Sequence, residues 1–376
     1  MKVLLAGGGT AGHINPALAI AGYIKEKEPD AEFLFIGNRD GMEQRLVAAA
    51  GFPIESVVIS GFKRSLSPKD TVHNIKTVSR SFTSRALAKK IIKEFDPDIC
   101  VGTGGYVSGP VILAACNLGY PAVIHEQNAY PGVTNKMLAK KVKRVMLANE
   151  DAKKHFDSHA SFVTTGNPIR TEILATKHDE AKERLGLSRL ERPIILSFGG
   201  SLGAKCINEA MVELMARSAK DKKYYHIHAY GQQGGYTLDL LRAKGVDPEA
   251  CDNLDVRPYI DNMNDCLAAC DLVVSRAGAI TLSEVQAKGR PAVLIPSPFV
   301  AENHQYHNAM SMVNKKAAMV IEQKDLTGEK LIETVDDMLT DPKVLEKYRR
   351  NAQKMAITDA NERIYQTIKE VLSEVK

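Results

Sequence analysis

Val3-Leu4-Leu5-Ala6-Gly7-Gly8-Gly9-Thr10-Ala11-Gly12-His13 is the stretch whose reading decides the fold. The apolar run predicts a strand and the glycines a sharp turn. Ile14-Asn15-Pro16-Ala17-Leu18-Ala19-Ile20 then predicts a helix with Pro16 in its first turn. Strand, glycine loop and helix set backbone N–H groups and a helix N-terminus against an anion. His13 stands at the rim, where a side chain that titrates near neutrality can do chemistry.

Outward from this unit the same alternation repeats. Strands are expected at Val3–Ala6, Glu32–Gly37, Ile54–Ile59, Asp98–Gly102, Ala122–His125, Arg144–Leu147 and Ser161–Thr164. Helices fit between them at Asn15–Glu28, Asp40–Ala50, Thr71–Phe95, Gly109–Leu118 and Thr134–Lys141. The series then restarts. Pro193–Phe198 leads into a second glycine loop, Gly199–Ala204, and strands follow at Tyr224–Ala229, Leu254–Val256, Leu272–Ser275, Ala292–Ile295 and Ala318–Ile321. Such alternation predicts parallel sheets covered by helices, and 376 residues exceed one compact core. The expected architecture is α/β, with two doubly wound domains facing across a cleft. A Gly-Asn-Pro turn at 166–168 marks the boundary. The N-terminal domain is expected to span 1–165 and the C-terminal domain 166–358. The amphipathic segment 359–376 is expected to pack back on the first domain.

Composition is that of an ordinary globular chain, 44% hydrophobic and 25% charged. No run suits a signal peptide or a spanning helix, so the chain is expected to stay in the cytosol. The six cysteines form no C-x-x-C pair, and Cys266 and Cys270 fall on one helix face as core residues. The net charge of +5 is concentrated in Lys63–Lys93, which holds nine basic residues and one acidic residue, Asp70.

Gly7, Gly9 and Gly12 satisfy G-x-G-x-x-G, but a dinucleotide site also needs a carboxylate at the end of the second strand. That strand ends Phe35-Ile36-Gly37-Asn38, which disfavours NAD. Gly199–Ala204 followed by Lys205 lacks P-loop spacing, which removes the main support for an ATPase. Gly102-Thr103-Gly104-Gly105-Tyr106-Val107-Ser108-Gly109-Pro110 again links strand to helix, and its glycines serve either a ligand or close helix packing. His125-Glu126-Gln127-Asn128 puts four polar residues at a strand exit. In Ser275–Glu284 a strand ends, Gly278 turns the chain and a helix begins near Thr281. That helix N-terminus can receive a diphosphate, and Glu284 can accept hydrogen bonds from both hydroxyls of a ribose.

These stretches, with TGNPIR at 165–170 and HQYHNA at 304–309, resemble the bacterial peptidoglycan N-acetylglucosaminyltransferases, the MurG family, nearly end to end. The resemblance implies the GT-B fold. It implies transfer of N-acetylglucosamine from UDP-N-acetylglucosamine to the 4-hydroxyl of undecaprenyl-diphosphate-linked N-acetylmuramyl-pentapeptide, with inversion. This converts lipid I to lipid II for the cell wall. Carried over by motif, Thr10, Ala11, Gly12, Asn128, Arg170 and Ser201 fall at donor-contacting positions. Ile260 matches a uracil-contacting position, and Ala279, Ile280, Thr281, Leu282, Ser283 and Glu284 match the stretch around diphosphate and ribose. Gln305 matches a sugar-contacting amide. Gly104, Gly105 and Tyr106 are expected on the acceptor side. Ala11 stands where relatives often have Gly, and His304 where some have a second Gln.

The implied displacement needs a base for the acceptor hydroxyl. His13 is the candidate, with Glu126 as an alternative base or orienting group. No D-x-D pair stands out, so no metal or other cofactor is expected. A lipid acceptor implies a peripheral enzyme on the cytoplasmic face of the cell membrane. The basic stretch 63–93, with Val72, Ile75, Val78, Phe82 and Leu87, would meet the anionic leaflet, and other cell-wall enzymes would be possible partners. Nucleic acid is disfavoured, because that stretch offers only Phe82 for stacking. A UDP-sugar epimerase or hydrolase of similar fold is the alternative.

Overall fold

A computed structural model describes residues 1–58, 85–157 and 159–375. Its contacts divide the chain into two units: Met1–Pro168 with Asp359–Lys376, and Ile169–Thr358.

Unit 1 runs β1 (Lys2–Gly7), α1 (Ala11–Lys27), β2 (Glu32–Asn38), α2 (Met42–Ala49) and β3 (Ile54–Val57). Helix α3 occupies 85–95. Then follow β4 (Ile99–Gly104), α4 (Gly105–Asn117), β5 (Ala122–Glu126), α5 (Val133–Leu138), β6 (Arg144–Leu147) and β7 (Phe162–Thr164). The sheet order is β3-β2-β1-β4-β5-β6-β7, parallel throughout. Val3, Leu4, Leu5 and Ala6 are all fully buried, because helices cover both faces of the sheet.

Unit 2 contains α6 (Thr171–Ala175), α7 (His178–Arg184), β8 (Ile194–Phe198), α8 (Lys205–Asp221), β9 (Tyr225–Ala229), α9 (Tyr236–Ala243) and β10 (Leu254–Arg257). It continues with α10 (Met263–Ala269), β11 (Leu272–Ser275), α11 (Ala279–Ala287), β12 (Ala292–Leu294) and α12 (His304–Val313). It ends with β13 (Ala318–Val320), α13 (Gly328–Leu339) and α14 (Pro342–Met355). Its parallel sheet is ordered β10-β9-β8-β11-β12-β13. The last helix, α15 (Ala360–Val375), belongs to unit 1: Ile364, Ile368 and Val371 join the core made by Val3, Leu5 and Ile14. Tyr23 and Tyr365 donate from their hydroxyls to Glu362 and Glu28 across that contact.

In each unit the strand order reverses once, between β1 and β4 and between β8 and β11. Connections leave such a point on opposite faces, which opens a crevice beyond the carboxyl ends of the strands. The crevices are bordered by Gly7–Thr10 with Gly104–Gly105, and by Gly199–Ala204 with Arg276–Gly278.

The structure moves several predicted boundaries. Helices α1 and α4 start four residues before their predicted positions, at Ala11 and Gly105. Pro16 and Pro110 are the sixth residues of those helices, not first-turn prolines. Pro16 has no N–H to donate to the Gly12 carbonyl, and Gly12 lies at the exposed start of α1. The unit boundary falls after Pro168, not 165. Thr165 and Gly166 donate from their amides to the Leu147 carbonyl, and Asn167 donates from its side chain to the Gln127 carbonyl, so all three stay bound to unit 1.

Residues 63–84 of the basic stretch, including Val72, Ile75, Val78 and Phe82, lie outside the described residues. Within 85–95, Ala88, Ile91 and Ile92 pack into the core, while Lys89, Lys90, Lys93 and Leu87 are exposed. Among the described residues no helix is long and apolar enough to cross a membrane.

Candidate functional site

In unit 1 two glycine turns press against each other. A Cβ on Gly105, whose φ is +79°, would stand 2.0 Å from the Gly8 carbonyl oxygen. A Cβ on Gly7 would stand 2.0 Å from Thr103 Oγ1, which donates to the His13 carbonyl at 2.7 Å. These glycines are required by loop-on-loop packing. At Gly12 a Cβ would meet only Thr10 Oγ1, at 3.6 Å, so open space remains there. Thr10 is the N-cap of α1, and Ala11 takes the first helical position, where alanine is unstrained.

His13 is therefore in the first turn of α1, half-buried. Its Nδ1 lies 3.1 Å from the Thr103 carbonyl and 3.2 Å from Gln127 Oε1. Both are acceptors, so Nδ1 carries the proton and the lone pair of the neutral ring is at Nε2.

The strand exit His125–Asn128 is buried. Glu126 is turned inward: Oε1 accepts from Asn128 N and Nδ2, and Oε2 accepts from Gly132 N and Asn135 Nδ2. Four donors occupy the carboxylate, so Glu126 organises loop 126–135. Asn128 Nδ2 is correspondingly committed to Glu126.

One residue at this site escaped the sequence reading. Glu43, buried in the first turn of α2, accepts from Asn38 N at 2.8 Å and Gly9 N at 3.4 Å. It stands five residues past Asn38, the last residue of β2. Tyr106 packs its ring where a Gly9 Cβ would sit, and burial with the Glu43 charge raises its phenol pKa, keeping it a neutral donor. Gly104, at φ +100°, is the N-cap of α4, and Gly105 opens that helix.

In unit 2 Gly278 caps α11 in an extended conformation, so the amides of Ala279, Ile280 and Thr281 lead the helix. Two side chains hold this turn. Arg276 donates to the Ile295 and Pro296 carbonyls and to Gln323 Oε1, and Asn308 donates to the Ala277 carbonyl. Glu284 is buried and accepts from Arg170 Nε at 3.0 Å, while Arg170 itself is 56% exposed. Burial raises the Glu284 pKa, and Arg170 opposes that shift. Gln305, in the first turn of α12, accepts from Ser297 N through Oε1 at 2.8 Å, which directs its NH2 elsewhere. Ser201 lies exposed in the glycine loop before α8.

Three predicted donor contacts change character. The Ile260 and Leu282 side chains belong to the core, leaving only their backbones for a ligand. Ser283 Oγ donates to the Ala279 carbonyl one turn back. Among the described residues no cluster of three His, Cys, Asp or Glu could hold a metal.

Known proteins carry the same pattern. Family models for the N-terminal and C-terminal domains of glycosyltransferase family 28 match residues 3–147 and 194–364. The UDP-N-acetylglucosamine--N-acetylmuramyl-(pentapeptide) pyrophosphoryl-undecaprenol N-acetylglucosamine transferase of Acetivibrio thermocellus is 46% identical over 374 residues, 99% of this chain and 98% of its own. The protein of the same name from Caldanaerobacter subterraneus is 44% identical over 99% of this chain and 100% of its own. The crystal structure of MurG from Acinetobacter baumannii superposes with a TM-score of 0.79 at 29% identity, covering 98% and 99% of the two chains.

Proposed function

The chain belongs to glycosyltransferase family 28, and from that membership we propose that it moves N-acetylglucosamine from UDP-N-acetylglucosamine to undecaprenyl-diphosphate-linked N-acetylmuramyl-pentapeptide. The observation that carries this reading is the likeness to transferases of one name across both units. It favours the transferase over the epimerase or hydrolase alternative.

Each unit has its own part. His13 Nε2 takes the proton from the acceptor 4-hydroxyl as that oxygen attacks the anomeric carbon. The anomeric C–O bond to UDP breaks, UDP departs with the electron pair, and the configuration inverts. What supports His13 is that its Nδ1 is committed to two acceptors. In unit 2 the leading amides of α11, with Ser201 and Arg170, receive the diphosphate, where a helix N-terminus stabilises developing negative charge. Glu284 accepts from both ribose hydroxyls, exchanging part of its bond with Arg170 for them. Gln305 offers its NH2 to a sugar hydroxyl, and the Ile260 backbone reads the uracil edge. Thr10, Ala11 and Gly12 line the transferred sugar, where the space beside Gly12 is open. Gly104, Gly105 and Tyr106 face the acceptor.

The lipid on the acceptor makes this a peripheral enzyme of the cytoplasmic membrane face, approached through residues 63–93. Anionic vesicles should retain the protein at low salt and release it at high salt. To test the reaction, labelled UDP-N-acetylglucosamine is incubated with a lipid I analogue. Label in a disaccharide product is the expected result. UDP-sugar turnover in the absence of acceptor would instead establish an epimerase or hydrolase.

A further inference from the structure

Three side chains of unit 1 form one hydrogen-bonded chain, and backbone carbonyls fix the direction of every bond in it. His125 Nε2 lies 2.9 Å from the Gly166 carbonyl, so that nitrogen carries the proton and Nδ1 carries the lone pair. Gln127 Nε2 lies 3.0 Å from the His125 carbonyl and 3.1 Å from His125 Nδ1, so it donates to both. That places Gln127 Oε1 against His13 Nδ1 at 3.2 Å, beside the Thr103 carbonyl at 3.1 Å. Turning the Gln127 amide over would set its oxygen against the His125 carbonyl and its NH2 against the His13 N–H. Both contacts are repulsive, so the observed orientation is the one the surroundings permit.

We infer that Gln127 and His125 are positioning residues for the base: they hold His13 with its lone pair at Nε2 and stabilise the imidazolium that forms during transfer. This rests on the reading of His13 as the base. His125 suits the task because it is fully buried among groups that satisfy both ring nitrogens. Burial lowers its pKa, so it stays neutral and keeps its acceptor at Nδ1. Gln127 suits it because an amide has a donor and an acceptor and does not titrate. When His13 takes the acceptor proton at Nε2, the positive ring is left with two acceptors already pointed at Nδ1. No reorganisation is then needed as the charge develops.

The test is 15N-histidine NMR on the full chain together with steady-state kinetics, for wild type, Gln127→Met, Gln127→Leu and His125→Phe. In the wild type, neutral His13 is expected as the Nδ1–H tautomer and His125 as the Nε2–H tautomer. Either Gln127 substitution leaves the Thr103 carbonyl as the remaining acceptor at Nδ1, so it should raise the share of the Nε2–H tautomer in the His13 signal and lower kcat about tenfold, the scale of one hydrogen bond to a charged group. KM for the UDP-sugar should stay unchanged. His125→Phe removes one of the two acceptors of the Gln127 NH2 and keeps the backbone carbonyl of residue 125, so it should have the same effect to a smaller extent. Gln127→Met, close in length to glutamine, keeps the test open if Gln127→Leu fails to fold. An unchanged His13 tautomer and unchanged kcat in folded variants would overturn the inference. A shifted tautomer with full activity retained in His13→Ala would instead overturn the reading of His13 as the base.

Discussion

The two crevices lie at the same topological point of similar sheets, yet they are finished differently. In unit 1 the loops are locked by internal contacts: glycine against carbonyl, Glu43 on the amides of Asn38 and Gly9, and His13 on Thr103 and Gln127. In unit 2 the groups proposed to bind the donor are paired with each other or with the backbone, Arg170 with Glu284 and Gln305 with Ser297. A reacting proton demands a base held within a fraction of an ångström. A bound nucleotide tolerates partners that rearrange, because its affinity is spread over many contacts. Under the proposed function, the difference between a rigid reaction wall and an adaptable binding wall follows from those demands.

The sharpest way to break this comparison is His13→Ala. Turnover should fall by about 10²- to 10⁴-fold, the scale of general base catalysis, while UDP affinity measured by calorimetry stays the same. A loss of UDP binding would place His13 in the donor site instead.

Gly105→Ala should be the next largest effect. Its Cβ would overlap the Gly8 carbonyl at a positive φ, so unit 1 should lose about 3 kcal/mol or more, seen in its unfolding transition. Gly12→Ala meets open space and should leave stability unchanged or raise it by about 0.5–1 kcal/mol. Equal effects from the two would refute the account of loop-on-loop packing.

Glu284→Gln should weaken UDP binding by about tenfold or more, the scale of hydrogen bonds to a charged group, and should leave unit 1 unaffected. Because burial raises the Glu284 pKa, wild-type affinity should begin to fall at a higher pH than for an ordinary carboxylate.

Acid should separate the units more gently. Burial lowers the pKa of His226 to about 3 and of His228 to about 4, and it lowers that of His125 in unit 1. A histidine kept neutral when folded lets the unfolded chain bind more protons, so stability falls as pH drops below the unfolded value near 6.5. At pH 5 His226 and His228 should each cost about 2 kcal/mol, so β9 should lose more hydrogen-exchange protection than β5, which holds one buried histidine. Equal losses would show that the two buried histidines of unit 2 are not kept neutral.

Much of this was legible in the sequence. The apolar runs gave the strands, because a strand covered on both faces has no polar side. Glycine turns between strand and helix marked both crevices, and the helix start that leads to Glu284 followed from Gly278. The helix starts at Ala11 and Gly105 were misread because proline usually marks a first turn, whereas Pro16 and Pro110 lie deeper. Glu126 was left as an alternative base or an orienting group because a carboxylate at a strand exit looks the same in sequence whether its oxygens face a ligand or four internal donors. Glu43 was missed because its partner Gly9 lies 34 residues away.

The sequence by itself determined the α/β alternation, the two units and the family, since these depend on local periodicity and on contiguous motifs. Tertiary structure alone decided which glycines are packing glycines, which carboxylate is spent on its own loop, and which nitrogen of His13 is left bare. Those depend on atoms about 3 Å apart in space but up to 114 residues apart in the chain, as His13 and Gln127 are. Local pattern cannot encode a distance that only the closed sheet creates.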